Sequence, residues 1–135
     1  MEAAAHLRYF RMAPRKISVV AALVRGMSVS QAISTLQWTR RAAALPVRKL
    51  IESAMANATD LSKGSVDVDK LWVKSIHVDQ GPTQRRYMPR AMGRATRINK
   101  KSSHVHVIVS DESMKKVSKA AKPAKPASTT KAATK

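Results

Sequence analysis

The spacing of apolar residues divides the chain into three helical stretches, three extended ones and two stretches with neither pattern. Ile17, Val20, Ala21 and Val24 recur as one face of a helix. Pro14 suits the first turn of that helix, where its missing N–H costs nothing, and Gly26 marks the end. Ser28 and Gln31 are spaced as a capping box, after which Val29, Ala32, Ile33 and Leu36 form a second, short apolar stripe. A third and longer helix is predicted to open at Arg40 and Arg41. In it Val47, Leu50, Ile51, Ala54, Met55 and Ala58 repeat at i, i+3, i+4, i+7, i+8 and i+11. Pro46 removes one hydrogen bond, so it either bends this helix or marks where its regular part begins. Residues 57–64 form the exit, and Ser53, Ala54 and Ala56 are small enough to let another element approach closely.

Three extended segments complete the pattern. Residues 5–12 (AHLRYFRM) alternate imperfectly and read as a short strand that leaves Arg8 and Arg11 free for a partner. Residues 71–79 (LWVKSIHVD) and 104–110 (HVHVIVS) read as two more. The last two form a hairpin, the N-terminal strand covers one edge, and the helices bury one face. The predicted fold is therefore α+β: a three-stranded antiparallel sheet with three helices packed on one face and a long protruding β-hairpin.

The protrusion is residues 80–103, which carry Arg85, Arg86, Arg90, Arg94, Arg97, Lys100 and Lys101 without one acidic residue. So long a connection in a compact domain is either functional or disordered. Pairing Asp79 with His104 puts the turn between Ala91 and Met92, where Pro89 fixes a backbone angle on the approach and Gly93 supplies a positive φ. Two arms of about ten residues each reach roughly 30 Å, well beyond the radius of gyration of about 13 Å expected for the body. An isolated ribbon is marginal in water and its guanidinium groups repel one another, so the arrangement is stable only inside a polyanion. A disordered basic loop is the alternative that composition alone leaves open.

Composition narrows the partner. The 135 residues suit one domain, here residues 1–112 including the hairpin at 80–103, followed by a Lys/Ala/Pro tail at 113–135 expected to be disordered. The chain carries 26 basic and 8 acidic residues, a formal charge of +18. All 8 acids and 19 of the basic residues fall in residues 1–112, giving +11, and seven lysines give the tail +7. A pI near 11.3 points to nucleic acid or an anionic membrane surface. The absence of cysteine excludes disulfides and thiolate metal sites and fits a reducing compartment. The longest unbroken apolar run, residues 19–24, is far shorter than the roughly 20 residues that span a bilayer. With no signal-peptide pattern at the start, a cytoplasmic protein without membrane insertion is expected.

The chain offers little for catalysis. His104 and His106 share one face of a strand, and Asp67 and Asp69 have the same spacing, but no third or fourth metal ligand stands at a useful distance. Gly26, Gly81 and Gly93 form no phosphate-cradling motif. No enzyme activity, metal or cofactor is predicted. The ribbon is different, because arginines clamp phosphates and stack on bases, and Tyr87 adds a stacking surface. Arg15, Lys16, Arg40, Arg41, Arg48 and Lys49 add charge on the helical body, about half of it ordinary solvated surface. Two readings stand: a structural RNA-binding component, or a histone-like DNA-compacting protein that uses a basic β-arm and a lysine-rich tail.

The run GPTQRRYMPRAMGRATRINKKSSHVHVIV resembles the signature of the universal large-subunit ribosomal protein L twenty-two family, bacterial type. The likeness continues upstream through MAPRKISVVAALVRGMSVSQAI and KLIESAMANA and covers about residues 3–110. It implies a structural constituent of the large ribosomal subunit that helps to organise its RNA during assembly. Its partners would be large-subunit ribosomal RNA, neighbouring ribosomal proteins and, in passing, the nascent peptide. Carried over by position, the tip lining the peptide exit tunnel is Arg90, Ala91, Met92, Gly93, Arg94 and Ala95, and the RNA-anchoring shafts are Arg85, Arg86, Arg97, Lys100 and Lys101. With Arg15, Lys16 and Tyr87, and with Arg90 and Arg94 counted as contacts too, these shafts make up the expected RNA-binding set. Met92 departs from the pattern, since the family often has a basic residue there.

Overall fold

The computed structural model describes residues 1–63 and 67–111, so the tail expected from residue 113 onward lies outside the described residues. The elements run β1 (Glu2–Phe10), α1 (Pro14–Val24), α2 (Val29–Trp38), α3 (Ala44–Leu61), a 3-10 turn (Val68–Lys70), β2 (Trp72–Pro89) and β3 (Ala95–Ser110). The strands form one antiparallel sheet in the order β1-β3-β2. Its inner face carries the alternating Val105, Val107 and Val109 of β3 and Ala3 and Ala5 of β1, together with Val73 and Ile76 of β2, which a register shift between Val73 and Ser75 brings to the same face; all are buried. The apolar stripes of the helices close over them. Ile17, Val20, Ala21 and Val24 come from α1, Val29, Ala32 and Leu36 from α2, and Val47, Leu50, Ile51, Ala54 and Ala58 from α3. α3 lies against β1 and β3, α1 lies against β2, and α2 leans chiefly on α3.

Local chemistry sets the helix ends. Ser28 Oγ accepts a hydrogen bond from Gln31 N at 3.4 Å, the cap that the spacing predicts for α2. Pro14 opens α1, and Gly26, at φ +76°, takes the left-handed turn that ends it. α3 begins at Ala44, later than the arginine pair suggested, and Pro46 stands in its first turn. There a missing N–H is harmless, so the proline starts the helix without kinking it. The helix also continues to Leu61, through much of the predicted exit. Of the three small residues, only Ala54 is buried, whereas Ser53 and Ala56 face solvent, so close packing is restricted to one position.

Both sheet edges are tied to the rest of the body by hydrogen bonds. Beside β2, the turn after α1 is hydrogen-bonded to the strand, Gly26 N to Val73 O at 3.0 Å and Val73 N to Met27 O at 2.9 Å. Arg25 Nη2 also reaches Ile76 O at 2.8 Å. Beside β1, Asn57 Nδ2 on α3 donates to Ala4 O at 3.0 Å. Carbonyls and N–H groups that would otherwise template another chain are thereby occupied. β1 itself runs from Glu2 to Phe10, earlier than predicted, because its partner ladder ends at Phe10↔Ser103. A bulge before Phe10 sets Tyr9 at φ +55° and turns its N–H toward His104 Nδ1, 3.1 Å away.

The hairpin is a continuous two-stranded ribbon. Asp79 pairs with His104, as alternation requires, and the ladder continues to Pro89↔Ala95. A register shift between Gln80 and Thr83 gives β2 one extra residue, which moves the centre of the turn onto Met92. Residues 90–94 close it, with Arg90 N donating to Arg94 O at 2.8 Å. Gly93 has the predicted positive φ, and Met92 joins it at φ +60°.

Gly81 stands at the bulge because β3 comes too close for a side chain. A Cβ there would lie 2.6 Å from Ser102 Oγ and 3.0 Å from His104 Nε2. Ser102 Oγ is itself held by its hydrogen bond to Pro82 O at 2.7 Å and cannot swing away freely. Gly81→Ala is expected to destabilise the domain by about 1–3 kcal/mol, as overpacking does. Thermal melting followed by circular dichroism checks it. The double variant Gly81→Ala/Ser102→Ala, which removes the clashing oxygen, should recover part of the loss.

Candidate nucleic-acid interface

Register sorts the ribbon's side chains onto two faces. Arg85↔Asn99, Tyr87↔Arg97 and Thr83↔Lys101 occupy alternate rungs, and Arg86↔Ile98, Met88↔Thr96 and Gln84↔Lys100 occupy those between. Cross-strand partners share a face. One face therefore carries Arg85, Arg97 and Lys101 with Tyr87, and the other Arg86 and Lys100. All of these are exposed, with Tyr87 at 70 %. A ribbon that carries cations on both faces suits insertion into an anionic surrounding better than lying flat on a surface. At the tip Arg90 and Arg94 flank Ala91, Met92 and Gly93, with Ala95 opening β3, and Met92 is 93 % exposed.

At its root the ribbon meets the body in an open groove of about 1300 Å³. The body contributes Tyr9, Arg11, Met12, Lys16 and Arg41, and the ribbon contributes Gln84, Arg86, Asn99, Lys100, Lys101 and Ser102. Six of the lining residues are cations and none is a carboxylate. The groove is too large and too open for a small-molecule site. Like charges brought together in this way repel one another until a polyanion fills the space.

The acids lie elsewhere. Glu2 and Asp111 lie at the end of the sheet away from the ribbon, since Glu2 and Trp72 both pair with Ser110. Asp60 lies near the end of α3 beyond Asn57, which reaches Ala4, and Asp67 precedes and Asp69 lies within the 3-10 turn that leads into β2. Lys70 Nζ hydrogen-bonds to Asp67 Oδ2 at 2.5 Å, and this bond, reinforced by the lysine's charge, holds the Asp67 carboxyl below the usual carboxylate range. Glu52 lies 3.2 Å from Arg48 Nε, an ion pair without aligned hydrogen-bond geometry. Glu2 is paired with Lys74. Among the described acids Asp79 alone stands near the ribbon, on the outer face of the sheet, 3.9 Å from His106 Nε2.

The expected RNA-binding residues are thus partly brought together. Lys16, Arg86, Lys100 and Lys101 converge on the groove, Arg85, Tyr87 and Arg97 share a ribbon face above it, and Arg90 and Arg94 are at the tip. Arg15 is exposed on the first turn of α1 and is not part of the groove wall. Arg11 was legible as free for a partner, Arg41 only as charge on the helical body, and Tyr9 and Asn99 as nothing in particular. One signal pointed their way, since no acid occurs anywhere in residues 3–51.

His104 and His106 do share a face, the outer one, and His6 and His77 join them because both pair with His106 across the sheet. His6 and His106 approach at 2.6 Å between their Nδ1 atoms. Among the described residues no group of three or more His, Asp or Glu side chains is arranged to hold a metal ion.

Fold and charge distribution define a class: a small α+β body, buried on one sheet face, that carries a cationic groove and a two-faced basic ribbon. The chain belongs to the ribosomal protein L22p/L17e family, whose profile matches residues 5–110. It is 67% identical over 111 residues to the large ribosomal subunit protein uL22 of Myxococcus xanthus (strain DK1622), an alignment that covers 82% of this chain and 97% of the relative. The uL22 of Anaeromyxobacter dehalogenans (strain 2CP-C) is 55% identical over 103 residues, 76% of this chain and 70% of the relative. That of Clostridioides difficile (strain 630) is 46% identical over 112 residues, 83% and 99% of the two chains. The family membership agrees with the resemblance read from the ribbon sequence.

Proposed function

We propose that this protein is a structural constituent of the large ribosomal subunit in the bacterial cytoplasm that binds and helps to organise large-subunit ribosomal RNA. Its ribbon passes between RNA segments, and its tip lines the nascent-peptide exit tunnel. The observation that carries the reading is the pairing of an acid-free groove with a ribbon charged on both faces, in a chain of this family. The groove takes the phosphate backbone at the ribbon's root, Arg85, Arg86, Arg97, Lys100 and Lys101 hold it along the shafts, and Tyr87 stacks on an accessible base. Met92, exposed and uncharged, gives the tip a surface that lets a peptide pass without gripping it.

The DNA-compacting reading is tested directly by competition between folded large-subunit RNA and duplex DNA at one stated salt concentration, where RNA should win. In the same assay Arg85→Ala/Arg86→Ala/Arg97→Ala should flatten the dependence of log affinity on log salt by about two to three, nearly one for each lost phosphate contact. Met92→Phe should leave both affinity and slope unchanged while altering translation of particular nascent peptides on ribosomes that carry it. Equal preference for the two nucleic acids, or a triple variant with the wild-type slope, would overturn the assignment.

A further inference from the structure

Trp38, the last residue of α2, is 85 % exposed, and among the described residues no hydrogen bond reaches its indole. An indole left in water contributes almost nothing to the core, although large aromatic side chains owe their usual value to burial. The backbone that carries it is nonetheless tied down. Thr39 N donates to Leu36 O at 3.3 Å, Thr39 Oγ1 to Thr35 O at 2.7 Å, Arg41 N to Thr39 O at 2.8 Å and Ala44 N to Arg41 O at 2.8 Å, so the corner between α2 and α3 is hydrogen-bonded at several points. Arg40 and Arg41 follow two and three residues later, both exposed, and Arg41 forms part of the groove wall. α2 contains no charged residue, and the nearest acid on α3 is Glu52, already engaged by Arg48.

A solvated aromatic ring on a corner whose backbone is hydrogen-bonded, three residues before an arginine of the acid-free groove wall, offers a face on which an unpaired base stacks while neighbouring cations neutralise its phosphates. We infer that Trp38 is a stacking platform for an unpaired RNA base, placed where a strand leaving the groove past Arg41 and Arg40 crosses the α2–α3 corner. The inference rests on the RNA-binding reading above and adds what that reading lacks: a contact that requires single-stranded or looped RNA. A paired base presents its edge to the protein and keeps its face inside the stack, so a duplex satisfies the arginines and leaves the indole unused.

The test uses the full chain with poly(A) as the single-stranded probe and poly(A)·poly(U) as its duplex counterpart, each variant being compared with the wild type on the same probe. Trp38 and Trp72 are the two tryptophans of the sequence, so Trp72→Phe leaves Trp38 as the sole tryptophan, excited selectively at wavelengths where Tyr9 and Tyr87 do not absorb. Its emission should be quenched by poly(A) and barely changed by the duplex. Trp38→Ala should weaken poly(A) binding roughly 5- to 100-fold and duplex binding hardly at all, the range reported by removing one base–aromatic stack. Trp38→Phe should restore most of the loss, and the salt slope should not move, because no charge changes. An exposed side chain is a safe site to substitute, and circular dichroism confirms folding in each variant. If Trp38→Ala binds both probes as the wild type does, the indole contacts a neighbouring protein or nothing, and the proposal falls. Equal quenching by single strand and duplex overturns it as well. Failure of the wild type to prefer folded large-subunit RNA over DNA would instead strike the underlying reading, so the two outcomes are distinguishable.

Discussion

Replacing residues 83–100 by an Asn-Gly hairpin turn is expected to leave a folded domain that has lost most of its hold on RNA. No residue between Gln80 and Ser102 belongs to the buried core. The ladder that ties the sheet together, from Trp72↔Ser110 to Gln80↔Ser103, lies entirely below the cut. Asn-Gly satisfies the positive φ angles of a tight hairpin turn, so the melting temperature should shift by only a few degrees. The same replacement removes Arg85, Arg86, Arg90, Arg94, Arg97 and Lys100. If each meets one phosphate, the salt slope becomes shallower by roughly five, and affinity at physiological salt drops on the order of a thousandfold. Residual binding should come from Arg11, Lys16, Arg41 and Lys101 around the groove. Far-ultraviolet circular dichroism and an RNA titration over a salt series read the two consequences separately. An unfolded product would show that the ribbon supports the body, and an unchanged slope would show that RNA is held elsewhere.

Ile51→Ala should do the opposite. Ile51 is fully buried on α3, the helix that spans β1 and β3. Its truncation leaves a cavity and costs about 2–5 kcal/mol. For a domain of about 100 residues this lowers the melting temperature by roughly 10–30 °C. Below the transition the cations of the groove and ribbon are still in place, so RNA affinity measured in the cold should stay within about twofold, less than 0.5 kcal/mol. A fall of only a few degrees would mean that α3 does not close the core.

What could be read in the sequence, and what could not, follows from the range of the interactions involved. Joining the facing ends of the two predicted strands was enough to pair Asp79 with His104, and the alternation of Val105, Val107 and Val109 on β3 holds that register, because a one-residue slip of this strand would expose them. The Ser28 cap and the stripe from Val47 to Ala58 are equally local and were equally legible. The groove was not. It needs Arg11 from the end of β1, Lys16 from α1, Arg41 from a loop and Arg86 from the ribbon, and no periodicity links four such elements. Pro46 was ambiguous for a related reason: whether a proline bends a helix or begins one depends on where the preceding loop is held, here by Ala44 N bonding to Arg41 O. The histidine row joins three strands, and only His104 and His106, on the same strand, could be connected from sequence.

A strand counts in twos, and the extra residue at Gly81 and Pro82 therefore works as a change of frame. β3 continues without interruption from Ala95 to Ser110, a single ruler that joins tip to core, and β2 is set against it one step out of phase beyond Gln80. This phase, more than the identity of any one side chain, decides that Arg85 and Tyr87 share a side with Arg97 while Arg86 lies opposite. One residue added to the outer arm of β2 would exchange the two sides along that arm, whereas two would only lengthen it. Changes of length that preserve the interface must therefore come in even steps, or be absorbed at the turn around Met92, where no face remains to be inverted.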